Sequence, residues 1–148
     1  MLLASYDQGI FQQVLWNSFH GHPFESTLSS QLSASVGQGG ELPSVDYERL
    51  GQHFTPTLLL WAPLLGLIGG AALPLIQVGL ITAAGLVLHR LACRQLPERT
   101  ANWIGYGYFA GNALIGPTLG NFTDLCQLPL AVFALMLGVL ERRRWLIA

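Results

Sequence analysis

Leu58-Leu59-Leu60-Trp61-Ala62-Pro63-Leu64-Leu65-Gly66-Leu67-Ile68 opens a run that continues to Leu86-Val87-Leu88, and no side chain from Phe54 through Leu88 is charged. A helix at the surface of a soluble domain alternates apolar and polar faces, whereas this run has no water-facing stripe. About 20 apolar residues cross the ~30 Å hydrocarbon core of a bilayer. The stretch therefore predicts an integral membrane protein. Its internal punctuation, Gly66, Gly69-Gly70 and Pro74, divides it. Thr55 as N-cap and Pro56 at the first helical position predict a short helix over 55–68, too short to span and suited to the membrane interface. The crossing itself is predicted over about 71–90. Two thin crossings within 55–90 are the alternative reading.

The rest of the composition agrees with a membrane solvent. The 148 residues are 51% hydrophobic and 10% charged, with mean hydropathy +0.45. There is no Lys. Six of the seven Arg residues, Arg90, Arg94, Arg99 and Arg142-Arg143-Arg144, sit beside the ends of apolar segments, and six of the eight acids lie elsewhere. The positive-inside rule makes both Arg clusters cytoplasmic, so the segments between them cross and return. Spans are predicted over 101–116 and 127–141, giving about three transmembrane helices in an all-α bundle. Gly107 and Gly111 have the small-xxx-small spacing of closely approaching membrane helices. The Arg pattern excludes a basic face for nucleic acid.

Residues 1–54 read as an extracytoplasmic region. Ile10, Phe11, Val14, Leu15 and Phe19 share one face of a helix running to Phe19, with Gln8, Gln12 and Gln13 opposite; Gly21 and Pro23 stop it. Glu25 to Gly51 is Ser-, Gly- and acid-rich and reads as a polar loop with little regular structure. Cys93 and Cys126 fall on opposite sides of the membrane in this topology, so no disulfide joins them.

Few residues could carry chemistry. Asp7 opens the first helix, where an acid either caps the helix or serves as a general base toward a hydroxyl acceptor. His20 and His22 flank Gly21 without the third ligand that a metal site requires, so no metal site is predicted. His53 precedes the entry into the membrane, as an interfacial anchor or a phosphate contact. Asp124 lies in the second outer loop. His53, Asp124 and His20 are the candidates for substrate contact, and no cofactor is specified.

Three blocks carry a resemblance. Tyr6-Asp7-Gln8-Gly9-Ile10-Phe11-Gln12-Gln13-Val14-Leu15-Trp16, His20-Gly21-His22-Pro23-Phe24-Glu25-Ser26-Thr27 and Leu50-Gly51-Gln52-His53-Phe54-Thr55-Pro56 resemble the N-terminal signature of a family of predicted multi-pass prokaryotic membrane proteins of unknown function. The layout is also similar to that of C-type-superfold membrane glycosyltransferases, which use polyprenyl-phosphate sugars. That similarity implies Asp7 as the acid serving the acceptor and His53-Phe54-Thr55-Pro56 as the start of an interfacial helix. The implied partners are membrane lipid, a lipid-linked sugar and the other helices of a longer protein. Asp124-Leu125-Cys126 stands where the family usually reads D-F-H, so an imidazole of the pattern is missing. The resemblance further implies a first span before Met1 and many helices after Ala148. The chain is accordingly expected to be a fragment, inactive alone. A transporter-like or purely structural membrane module is the alternative.

Overall fold

The computed structural model describes residues 6–44, 46–51, 55–120 and 122–142. Among them every extended element is helical, and the only β-type pairing is an isolated antiparallel bridge between Glu25 and Glu48. The chain divides into two units, Met1–Leu73 and Pro74–Ala148.

In the first unit, α1 spans Tyr6–Phe19. Its apolar positions recur at helical spacing, and Ile10, Phe11, Val14 and Leu15 are buried. Phe19, expected on that face, is half-exposed. The helix ends where Gly21 takes φ +91, a left-handed conformation that suits a residue without Cβ. His22 N–H then donates to Asn17 O at 2.9 Å and Gly21 N–H to Ser18 O at 3.4 Å, the paired bonds of a Schellman termination.

The segment expected to be an irregular polar loop folds onto α1. It forms the short helices α2 (Thr27–Ser30) and α3 (Ala34–Gly37), and Ser26, Ser29, Ser30 and Arg49 are buried. The reason is one side chain that sequence periodicity assigned to water. Gln13 Oε1 accepts hydrogen bonds from Ser26 Oγ at 2.8 Å and from Leu28 N–H at 3.1 Å. Ser26 Oγ in turn accepts from Ser29 N–H and caps α2. Phe24, held at φ 63, closes over Ile10 and Val14 with Leu28 and Leu50 packed beside it.

The expected single helix over 55–68 is two pieces. A 3-10 turn covers Pro56–Trp61, and α4 covers Ala62–Ile68. Pro56 does start it, but Thr55 makes no capping bond. Leu58, Ala62 and Leu65 are buried, and both pieces pack against α1. Leu60 and Leu67 on the other side are exposed. Gly69, at φ 63, ends α4, and a 3-10 turn over Gly69–Ala71 leads into α5 (Ala72–Gln95). Pro74 does not interrupt α5, because it falls in the first turn, where its missing N–H has no intrahelical partner to lose.

The apolar stretch Pro56–Gln95 is long and hydrophobic enough for a membrane crossing, and only 28% of its most apolar window is buried within the protein. A core helix of a soluble domain would be mostly covered, so the uncovered remainder calls for an apolar solvent.

In the second unit α5 runs past the predicted end at 90 to Gln95 and buries Ile76, Leu80 and Ala84 at intervals of one helical turn. The predicted helix over 101–116 is broken. The structure has α6 (Glu98–Ala110) and α7 (Asn112–Gly120), with Gly111 extended between them at φ -64 and ψ 119. Gly116 and Pro117 lie inside α7. A 3-10 turn over Asp124–Gln127 precedes α8 (Leu128–Leu140). Gly107 has open space where a Cβ would stand, and Gly111 meets only backbone oxygens of the last turn of α6. Close helix approach occurs instead at Gly85, against Tyr108 and Phe109, and at Gly105, against His89.

Candidate functional site

Asp7 lies in the first turn of α1 and is exposed. A carboxylate there meets the unpaired N–H groups and positive end of the helix dipole. His20 is at the other end, thirteen residues on, about 20 Å along a helix rising 1.5 Å per residue. Its Nδ1–H donates to Trp16 O at 2.8 Å, and its ring lies 4.3 Å from that of Trp16 and 5.4 Å from that of Phe19. His22 pairs with Glu25 at 3.2 Å. The two imidazoles that flank Gly21 thus turn to different partners. Among the described residues no group of three or more His, Cys, Asp or Glu is placed to hold a metal ion.

Asp124, in the second unit, opens the 3-10 turn before α8. Its Oδ1 accepts from Thr123 Oγ1 at 3.5 Å, and its carbonyl accepts from Gln127 Nε2 at 3.2 Å. Burial, with the Asp124 charge adding to it, pushes the Cys126 thiol up to about 11. His53 lies outside the described residues. The structure does not bring Asp7 and His20 together.

Polar clusters that the sequence did not single out are better formed. Arg49 is the one Arg remote from the ends of apolar segments, and it is buried in the first unit. Its Nη1 donates to Ser29 Oγ at 3.1 Å, and its guanidinium lies 4.9 Å from the centre of the Phe11 ring, within cation–π range. Burying a charge is costly unless it is satisfied. Ser29 and the aromatic face of Phe11 supply part of that satisfaction. Its isolation from the other Arg residues was the available signal.

In the second unit Gln77, 2% exposed, donates from Nε2 to Thr118 O and accepts from Thr123 N–H, both at 2.9 Å. His89 Nε2 lies 2.8 Å from Asn102 Oδ1 and 3.7 Å from Cys93 Sγ. Glu141 Oε1 accepts from Arg90 at 3.2 Å and Arg94 at 3.0 Å. Each pairing joins α5 to another segment or fixes its Arg-rich end.

A family model described as "Predicted membrane protein (DUF2079)" matches residues 1–148. The chain belongs to this family. No curated protein and no solved structure matches it.

Within this DUF2079 chain Gln77, His89 and Glu141 each tie α5 to another segment of the second unit. The first unit is different. Its α1 opens on an exposed acid and packs against the 56–68 segment. An exposed carboxylate can accept a proton or a hydrogen bond.

Proposed function

We propose that this membrane protein contributes the acceptor-side surface of a transferase that uses lipid-linked sugars, with Asp7 as general base. One observation carries the reading. α1, which opens on the exposed Asp7, packs on the apolar Pro56–Ile68 segment that leads into α5, so Asp7 is exposed on an element that adjoins the apolar stretch. A polyprenyl-phosphate donor keeps its tail in the bilayer and its sugar at the surface, and a hydroxyl acceptor must meet it there. An acid at that level can take the acceptor's proton while the acceptor oxygen attacks the anomeric carbon and the lipid phosphate leaves. His20 and His53 are assigned to substrate contact in the same reading. The accompanying topology puts residues 1–54 and 118–127 outside and the two Arg clusters in the cytoplasm. The three crossings are α5, the α6–α7 pair and α8.

The test is sugar transfer from a polyprenyl-phosphate donor by the protein reconstituted with its membrane partners in proteoliposomes. Asp7→Asn is expected to insert normally and to lose transfer by 10²-fold or more, on the order expected for a general base. Unchanged turnover would reassign Asp7 to helix capping. A second reading, a structural membrane module, is favoured by the mutual use of Gln77, His89, Arg90, Arg94 and Glu141 in the second unit.

A further inference from the structure

The 56–68 segment is apolar on the side it exposes as well as on the side it buries. Leu58, Ala62 and Leu65 are buried, in a segment that packs against α1. Leu60, Pro63 and Leu67 recur at helical spacing on another side and are exposed, Leu60 by 74% and Leu67 by 81%. A helix facing water would carry polar side chains there. The same surface continues onto α1. The Phe19 ring lies so close over Gly66 that a Cβ there would come within 2.7 Å of it, and Pro63, three residues before Gly66 on α4, is its neighbour on the helix surface. Phe19 also meets the His20 ring, which meets that of Trp16, and Phe19 and Trp16 are each 49% exposed.

The length of the apolar stretch identifies what covers this surface. Pro56–Gln95 has 40 residues, about twice what one crossing requires. α5 has 24 of them, about 36 Å of helix at 1.5 Å per residue, enough for the ~30 Å hydrocarbon core without the residues before it. The 56–68 segment is too short to cross again, and the break at Gly69 keeps it from prolonging α5. It is therefore an uncharged apolar element tied by the three-residue turn Gly69–Ala71 to the start of the crossing. That start is the level of the lipid headgroups. Trp, with an apolar ring and a polar N–H, is enriched at this depth.

We propose that the first unit is seated in the membrane–water interface through this surface, with Trp16 and Phe19 at headgroup level and Leu60, Pro63 and Leu67 against the lipid acyl chains. The seat rests on α5 as a membrane crossing and not on any transfer activity.

The experiment is fluorescence quenching of the full chain in phosphatidylcholine nanodiscs, where both membrane faces are open to solvent. The Trp16 signal is read as the difference between the wild type and Trp16→Phe, which keeps an aromatic ring at the position. It should be quenched most by lipids brominated near the carbonyls, less by lipids brominated at the chain ends, and hardly at all by aqueous iodide. Leu60→Gln combined with Leu67→Gln replaces only exposed side chains, so helix content by circular dichroism should hold while the Trp16 signal loses quenching by brominated lipid and gains quenching by iodide. If that variant loses helix, the wild-type profile decides by itself. Leu86→Trp, at a position of α5 that is 61% exposed, should respond most to lipids brominated at the chain ends, which tests the crossing separately; no response there would overturn the crossing and the seat with it. A Trp16 signal quenched by iodide, quenched by neither reagent as under a covering protein, or quenched most from the chain ends would overturn the seat alone. So would a folded double variant that behaves as the wild type.

Discussion

The side-chain Oε1 of Gln77 accepts the backbone N–H of Thr123 at 2.9 Å, across 46 residues of chain. The Nε2 of the same amide donates to Thr118 O, so one buried side chain satisfies a donor and an acceptor at either end of the turn after α7. Two backbone groups in an apolar setting would otherwise be costly to leave unpaired.

Gln77→Leu is therefore expected to lower stability in detergent by about 1–3 kcal/mol, the cost of leaving buried polar partners unpaired. The loss should appear as a lower midpoint in thermal or denaturant unfolding followed by circular dichroism. Gln77→Glu should also destabilise, because it removes the amide donor to Thr118. An unchanged midpoint in both variants would show that the clamp is dispensable.

Two glycines of α5 should respond to alanine with opposite signs. A Cβ at Gly79 would meet nothing within 4 Å, whereas a Cβ at Gly85 would come 2.8 Å from Tyr108 Cδ1. Tyr108 cannot easily move aside, since its hydroxyl donates to Ile81 O at 3.2 Å. Gly79→Ala is expected to stabilise by about 0.5–1 kcal/mol through helix propensity. Gly85→Ala should cost about 1–3 kcal/mol through overpacking. Paired melting curves check both.

The cysteines should differ in reactivity and in pH dependence. Cys93 is exposed and Cys126 buried, so iodoacetamide at neutral pH should modify Cys93 and reach Cys126 only after denaturation. The Cys126 thiol is raised from 9.0 to about 11 in the folded chain. A raised folded value means that this contribution to stability is fully present below pH 9 and is lost as pH rises toward 11. Cys126→Ala should flatten the fall of the melting temperature in that window relative to wild type; an identical fall in both would assign it to other groups.

The proposed topology makes native Cys93 an inner reporter. A membrane-impermeant maleimide applied to intact cells should leave Cys93 unlabelled. The same reagent should label Glu41→Cys in a Cys93→Ser background. The reverse pattern would invert the orientation.

Residues 54–88 announced an apolar solvent without any help from folding, because a run with no charge and no polar stripe has nowhere else to be stable. The spacing of Ile10, Phe11, Val14 and Leu15 likewise specified both α1 and its buried face, since these positions fall together at 3.6 residues per turn. The start of the 3-10 turn before α4 and the end of α1 were visible in Pro56 and Gly21, whose effects act through local backbone geometry.

What periodicity could not reveal were the uses of polar side chains over distance. Gln13 lies on the polar side of α1 by spacing, yet it organises Ser26 and Leu28, and thereby gives structure to a segment whose composition reads as loop. Arg49 is an ordinary loop cation in sequence and a buried one in the fold. The break at Gly111 and the contact of Gly85 with Tyr108 are also tertiary outcomes, because a glycine's role depends on what approaches it. By itself, then, the sequence determined the solvent, the helical class and the buried stripe of α1, all of which follow from local periodicity and transfer free energy. Only the tertiary structure decided which polar groups meet, because a hydrogen bond between residues 15 or 46 positions apart requires the intervening chain to be folded first.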